Sequence, residues 1–109
     1  MNQKKEKITI GITCFNAEKS IENAIDSALN QSWGNKEIII VDDGSTDLSV
    51  NIIKSKIKNK KIIFLKNKNN KGASFSRNLI IEKSTSNIIC FMDDDDFSEN
   101  KRIEKQYKE

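Results

Sequence analysis

The sequence predicts an α/β fold, a doubly wound and mainly parallel sheet with flanking helices, and two observations carry that expectation. Four short apolar runs, Ile8–Thr13, Glu37–Val41, Lys61–Leu65 and Asn87–Met92, alternate with stretches whose apolar residues recur at helical spacing. Strands separated by crossover helices pair in parallel through right-handed connections. In addition, polar residues gather directly after the strands, at Thr13–Asn16, Asp42–Ser45 and Asp93–Asp96. Ligands of such sheets bind at the carboxyl ends of the strands, near the point where strand order reverses.

The elements follow in order. Ile8-Thr9-Ile10-Gly11-Ile12-Thr13 is the first strand. Ile21, Ala24, Ile25, Ala28 and Leu29 form one face of the first helix, with Asn16 as its expected N-cap and Gly34 where the chain turns beyond it. Glu37-Ile38-Ile39-Ile40-Val41 is apolar at nearly every position, as a parallel strand covered on both faces should be. Asp42-Asp43-Gly44-Ser45 then makes a turn, and Leu48, Ile52, Ile53 and Ile57 mark a second helix capped by Ser45 or Asp47. After the third strand a polar loop, 67–71, leads to Gly72, which opens a third helix containing Arg77, Leu79, Ile80 and Ile81. The fourth strand ends at the aspartates, and Asn100 to Glu109 reads as the start of a fourth helix with Ile103 and Tyr107 on its inner face.

Size and composition bound the function. A chain of 109 residues with 36% hydrophobic positions builds one small domain with a single core. The charge of +3, from 19 basic and 16 acidic residues, is spread along the chain with little aromatic interleaving, which argues against nucleic acid as a partner. The Lys- and Asn-rich segments 54–61 and 66–71 read as a solvated helix face and a polar loop. There is no histidine, so histidine bases, triads and metal ligands are excluded, and acid-base work falls to carboxylates or lysine. Cys14 and Cys90 lie in or at the end of apolar strands without metal-ligand spacing, as buried free thiols in a reducing compartment would. No apolar run reaches the roughly 18 residues of a membrane span, and no apolar core follows Met1–Lys7 as in a signal peptide. A soluble, cytoplasmic domain is expected.

Asp93, Asp94, Asp95 and Asp96 are the densest chemical signal. Adjacent carboxylates repel and raise one another's pKa, and a divalent cation carrying a phosphate chain on its far side relieves that repulsion with hard oxygen ligands. The alternative is an acidic start to a following helix capped by Ser98 or Asn100. An EF-hand beginning at Asp93 would have Asp95 and Glu104 in place, but Ser98 stands where glycine is required and Phe97 where an oxygen ligand is. A phosphatase of the haloacid dehalogenase type shares the paired aspartates but has Thr or Val where this chain has Phe97, which makes it the weaker alternative. A nucleoside diphosphate demands a flat surface for its base, hydrogen bonds to base edge and ribose, and counter-charge for its phosphates. Phe15, with Thr13 beside it, offers the surface. Asp43 can accept from a base N–H, or else cap the next helix or close the turn at Gly44. Asp93–Asp95 can hold ribose hydroxyls and a metal, and Arg77 can reach phosphate or brace the acids.

The segments Ile12-Thr13-Cys14-Phe15-Asn16, Ile40-Val41-Asp42-Asp43-Gly44-Ser45-Thr46-Asp47, Asn70-Lys71-Gly72-Ala73-Ser74-Phe75-Ser76-Arg77-Asn78 and Phe91-Met92-Asp93-Asp94-Asp95-Asp96 occur in this order. Together they resemble the nucleotide-binding half of family 2 glycosyltransferases of the GT-A fold, across nearly the whole chain. By this resemblance Phe15 stands where the family commonly has Tyr near the base, and Thr13 where it commonly has Pro. Asp43 corresponds to the residue that reads the uracil edge. Asp93-Asp94-Asp95 fill the D-x-D motif, whose middle position lies near ribose and whose last acid binds Mn²⁺ or Mg²⁺, making Asp95 the metal ligand. Thr13, Phe15, Asn16, Asp43, Gly44, Arg77, Asp93 and Asp94 are then the nucleotide-binding set. The implied substrate is a nucleoside-diphosphate sugar, UDP-linked, and the implied reaction a single inverting displacement by an acceptor hydroxyl. Members of the family normally carry a further half with the acceptor site and the carboxylate that serves as general base, so the catalytic base is expected beyond Glu109. Residues 1–109 are accordingly expected to be the nucleotide-sugar-binding portion, binding weakly and transferring no sugar alone. Exposed sheet edges are expected to pair with a second copy. A receiver-type regulatory module is the rival from another class, but it needs an aspartate after its third strand, where this chain has Leu65-Lys66-Asn67, and a lysine after a fifth strand that is not visible.

Overall fold

The computed structural model describes residues 6–58 and 62–94. Its elements run β1 (Ile8–Cys14), α1 (Ile21–Leu29), β2 (Lys36–Asp42), α2 (Ser49–Lys56), β3 (Ile62–Lys66), α3 (Ala73–Lys83) and β4 (Ile88–Asp93). Asp95, Asp96 and the expected helix from Asn100 to Glu109 lie outside the described residues.

The strands form one four-stranded sheet in the order β3-β2-β1-β4, every neighbouring pair parallel. From β1 the chain steps outward through β2 to β3, then returns past β1 to lay down β4 on its far side. Strand order therefore reverses at β1, and the register sets the consequence: Thr13 lies level with Val41 on one side and Asp93 on the other. The three polar clusters thus meet at one edge of the sheet. The doubly wound parallel architecture is as the alternation of runs implies.

Helices cover both faces. α1 and α2 pack together on one, and α3 lies over β1 and β2 on the other. Because strand side chains alternate between faces, the expected single core divides into two clusters. The larger joins Ile8, Ile10 and Ile12 of β1, Ile38 and Ile40 of β2, the Ile21, Ala24, Ile25 and Ala28 face of α1, and Ile53 of α2. The smaller is Ile39, Val41 and Ile80, flanked by Leu65, Leu79, Ile89 and Phe91. Gly11 makes the second packing possible: a Cβ there would lie 2.7 Å from Ile80 Cγ2, so α3 rests directly on the β1 backbone. At the far end of the sheet, Glu37 joins Thr9 (2.8 Å) and the Thr85 N–H (2.8 Å), anchoring the loop that returns from α3.

Several local expectations change. Asn16 is not the N-cap of α1; Ser20 holds that position without a side-chain cap bond, and Asn16 sits in the preceding loop at φ 47°. Neither candidate is the N-cap of α2: Leu48 holds that position without a side-chain cap bond, and Asp47 Oδ1 accepts the Ser49 N–H at 2.9 Å from one residue further out. Leu48 is 58% exposed rather than on the inner face, because α2 begins only after it. Neither cysteine is in a disulfide, with Cys14 buried but Cys90 only half-buried. The lysine-rich α2 is not wholly solvated: Lys56 pairs with Asp26 at 2.6 Å and ties α2 to α1. Among the described residues no helix is long and apolar enough to cross a membrane.

Candidate functional site

A cleft of about 460 Å³ opens at the carboxyl edge of the sheet. It is lined by Thr13, Cys14 and Phe15 at the end of β1, Asp43 after β2, Asn70, Gly72, Ala73 and Ser76 at the start of α3, and Asp93 and Asp94 at the end of β4. Of the predicted set the fold brings together Thr13, Phe15, Asp43, Asp93 and Asp94. Asn16, Gly44 and Arg77 are not among the lining residues.

Asn16 joins two loops. Its N–H donates to Ser45 Oγ (2.8 Å), and its Oδ1 accepts the Thr46 N–H (2.8 Å). The same seam continues through Ala17 N–H to Ser49 Oγ (2.8 Å) and through the Leu48 N–H to Glu18 Oε1 (3.0 Å). The loop after β1 is thereby fixed to the loop after β2. Gly44, at φ 80°, allows a close approach: a Cβ there would lie 2.7 Å from the backbone of both Asn69 and Asn70. Arg77 Nη2 lies 4.0 Å from Asp93 Oδ1 with both side chains well exposed, a surface ion pair at the limit of contact.

Phe15 is 45% exposed, leaving its ring available to a ligand, while its N–H donates to Asp94 Oδ2 at 2.9 Å and ties β1 to β4. Asp42 closes its own turn by accepting the Ser45 N–H (2.9 Å) and hydroxyl. Asp43, 5% exposed, accepts from Lys71 N–H (2.7 Å) and Asn67 Nδ2 (2.8 Å) at Oδ1 and from Gly72 N–H (2.9 Å) at Oδ2. Burial pushes its carboxyl up, but the Lys71 N–H, the Asn67 amide, the Gly72 N–H and the Lys71 charge together outweigh that and hold it below the ordinary value. It is an ionised acceptor at neutral pH, fixed in orientation. Asp43 caps neither α2 nor α3; it holds the loop just before α3, whose N-cap is Gly72 without a side-chain cap bond. Burial, then the nearby Asp42 charge, push the Cys14 thiol up to about 12, so it stays protonated and unreactive.

Asp95, the expected metal ligand, lies outside the described residues, among which no group of three His, Cys, Asp or Glu side chains could hold a metal ion. Glu109, beyond which the general base is expected, also lies outside them, so no catalytic base is assigned among the described residues. Asp93 and Asp94 line the cleft with hard carboxylate oxygens, a donor chemistry that suits Mg²⁺ or Mn²⁺. Sequence reasoning passed over Asn67, which is buried between Asp43 and Ser76. Its only signal is an amide as the first residue beyond β3, level with the functional strand ends.

The family model described as Glycosyl transferase family 2 matches residues 9–109. A Haemophilus influenzae protein described as an uncharacterized glycosyltransferase is 42% identical over 100 residues, covering 91% of this chain and 40% of that protein. The Escherichia coli UDP-Glc:alpha-D-GlcNAc-diphosphoundecaprenol beta-1,3-glucosyltransferase WfaP is 40% identical over 101 residues, covering 93% of this chain and 40% of that enzyme. The chain thus spans 40% of the length of both relatives. Among solved structures, S. aureus TarS 1-349 in complex with UDP-GlcNAc superposes with a TM-score of 0.84 at 24% identity, covering 94% of this chain and 30% of that one. A Pyrobaculum calidifontis mannosyltransferase in complex with GDP-Man and Mn²⁺ gives 0.79 at 18% identity, covering 86% and 29%. At those identities the two structures establish a shared fold. The family match across residues 9–109 places the chain in glycosyl transferase family 2.

Proposed function

We propose that this chain binds a nucleoside-diphosphate sugar, UDP-linked, and supplies the donor half of an inverting glycosyl transfer. The observation that carries the reading is the convergence of Phe15, Asp43, Asp93 and Asp94 on one cleft where strand order reverses. In this reading the uracil lies against Phe15 beside Thr13, and its N3–H donates to the fixed carboxylate of Asp43. Asp94 and Asp93 receive the ribose hydroxyls, with Arg77 holding the acidic pair in place and Asn16 and Gly44 shaping the loops behind it. Asp95, supported by Asp93 and Asp94, would hold Mn²⁺ or Mg²⁺ as the third position of a D-x-D motif. When bound, the cation offsets the charge that grows on the departing diphosphate, where even one unit-charge pair at about 4 Å contributes on the order of 4 kcal/mol at an effective dielectric of 20.

The names of the relatives support a uridine donor: WfaP is described as using UDP-Glc, and TarS is seen with UDP-GlcNAc. A GDP-Man complex on the same fold means that the base is chosen by side chains rather than by the architecture. The acceptor site and the general base, the latter beyond Glu109, fall to the remainder of a protein of the relatives' length, and the reaction is assigned to the cytoplasm. The receiver-type alternative gains nothing from the structure, since the residue after β3 is Asn67, buried against Asp43 and not an acid.

Calorimetric titration of UDP with and without Mn²⁺, on this chain and on Asp95→Ala, tests the proposal. Metal-dependent binding that Asp95→Ala abolishes is expected. Binding that is indifferent to both the metal and Asp95 would overturn the metal-diphosphate anchor.

A further inference from the structure

We infer that Asn67 is a positioning residue that sets the nucleobase selectivity of the cleft, an inference that rests on the nucleotide-sugar reading above. Asn67 is 7% exposed and does not itself line the cleft. Its single Nδ2 donates both to Asp43 Oδ1 (2.8 Å) and to Ser76 Oγ (3.2 Å). Asp43 and Ser76 are cleft walls on two different segments, the loop just after β2 and the first turn of α3. The backbone of Asn67 is fixed as well, its N–H donating to the Asp42 carbonyl at 2.8 Å. One amide nitrogen therefore holds the two walls at a set separation. Since an ionised carboxylate only accepts, the amide nitrogen must face Asp43.

Selectivity follows from that fixation. A uracil edge presents an N–H to Asp43 where a cytosine edge presents an unprotonated ring nitrogen, which would set acceptor against acceptor. A carboxylate that cannot turn away rejects cytosine; one that can rotate admits a water or a shifted base and rejects it less. Asn67 supplies one of the three donors that prevent the rotation, and the only side-chain donor among them.

The test is titration of UDP and CDP, with Mn²⁺ supplied, against the chain, Asn67→Ala and the nearly isosteric Asn67→Asp. Asn67→Ala is expected to bind UDP about tenfold more weakly and CDP almost unchanged, which narrows the ratio between them. Asn67→Asp places a second carboxylate beside Asp43, so its UDP affinity should rise as pH falls from about 8 to 5.5 and a shared proton restores the lost donor. The other charges about Asp43, namely Lys71 in the loop, Asp42 on β2 and the Arg77–Asp93 pair, are the same in every variant, and so is the terminal phosphate of UDP, which takes up a proton at about pH 6; the effect of the substitution is therefore read as the difference between the pH profiles of Asn67→Asp and the unsubstituted chain. Thermal unfolding checks that each variant is folded; if Asn67→Ala is not, Asn67→Asp decides. A folded Asn67→Ala with an unchanged UDP-to-CDP ratio, or Asn67→Asp with the same UDP affinity and the same pH profile as the unsubstituted chain, overturns the inference alone. Failure of the unsubstituted chain to bind either diphosphate overturns the nucleotide-sugar reading beneath it.

Discussion

Asp43 shows how one residue serves fold and site together. It tethers the β3–α3 loop to the end of β2 through three donors, and those same bonds keep it ionised and aimed. A carboxyl whose folded pKa lies below its unfolded value, near ~3.9 for Asp, adds stability above that value and loses it as pH falls through the folded pKa. Asp43 is held low, and so is Glu37, where burial opposes the Thr85 N–H, the Thr9 and Thr85 hydroxyls and Lys7. The chain should therefore keep its stability from neutral pH down to about 4 and lose it steeply below. Asp43→Asn should lower stability at pH 7 by about 1–3 kcal/mol and flatten the acid limb, which urea unfolding at a series of pH values would measure. At this scale the sequence was legible where chemistry is local. Phe15, Asp43 and the acids after β4 advertise themselves by type and by position at strand ends. Asn16 was misassigned because its partners lie 29 and 30 residues away, beyond what cap chemistry can reveal. Asn67 was missed because an amide in a polar loop carries no mark of the carboxylate it will meet.

The strands were plain because a parallel strand covered on both faces must be apolar almost throughout, and the two clusters on either side of β2 confirm that cause. Their limits were less plain. β2 extends to Lys36 and Asp42, and β4 to Asp93, since ladder pairing with β1 continues into polar residues. α2 starts after Leu48, its period satisfied by Ile53, while a tertiary bond from the Leu48 N–H to Glu18 and a local one from the Ser49 N–H to Asp47 set its origin. Gly11 is the element-scale feature with the sharpest consequence. A Cβ there would meet Ile80 Cγ2 at 2.7 Å and Cδ1 at 2.9 Å, and neither has room to retreat in a buried cluster. Gly11→Ala should cost about 1–3 kcal/mol through overpacking between β1 and α3. A urea midpoint equal to that of the unsubstituted chain would show that α3 does not rest on β1.

For the whole molecule, class and crossover pattern could be read from the alternation of runs, but the order β3-β2-β1-β4 could not, since no local signal says on which side of β1 the last strand lands. That placement matters most for the proposed function, because it carries Asp93 and Asp94 to Phe15. Among the described residues β3 and β4 are the sheet edges, with Ile63 exposed on one and Ile88–Phe91 half-buried on the other. Such edges offer unpaired backbone groups to a second copy. Sedimentation should accordingly show concentration-dependent self-association, and a monomer at every concentration up to about 1 mM would count against it.

The central claim is that loops from β1, β2 and β4 build a single nucleotide cleft. Amide chemical-shift mapping of the chain titrated with UDP and Mn²⁺ tests it most directly. The account predicts shifts at Phe15, Asp43, Gly72, Asp93 and Asp94, with the opposite edge at Ser84–Ser86 silent. Shifts at that far edge with none around Phe15 and Asp43 would contradict it.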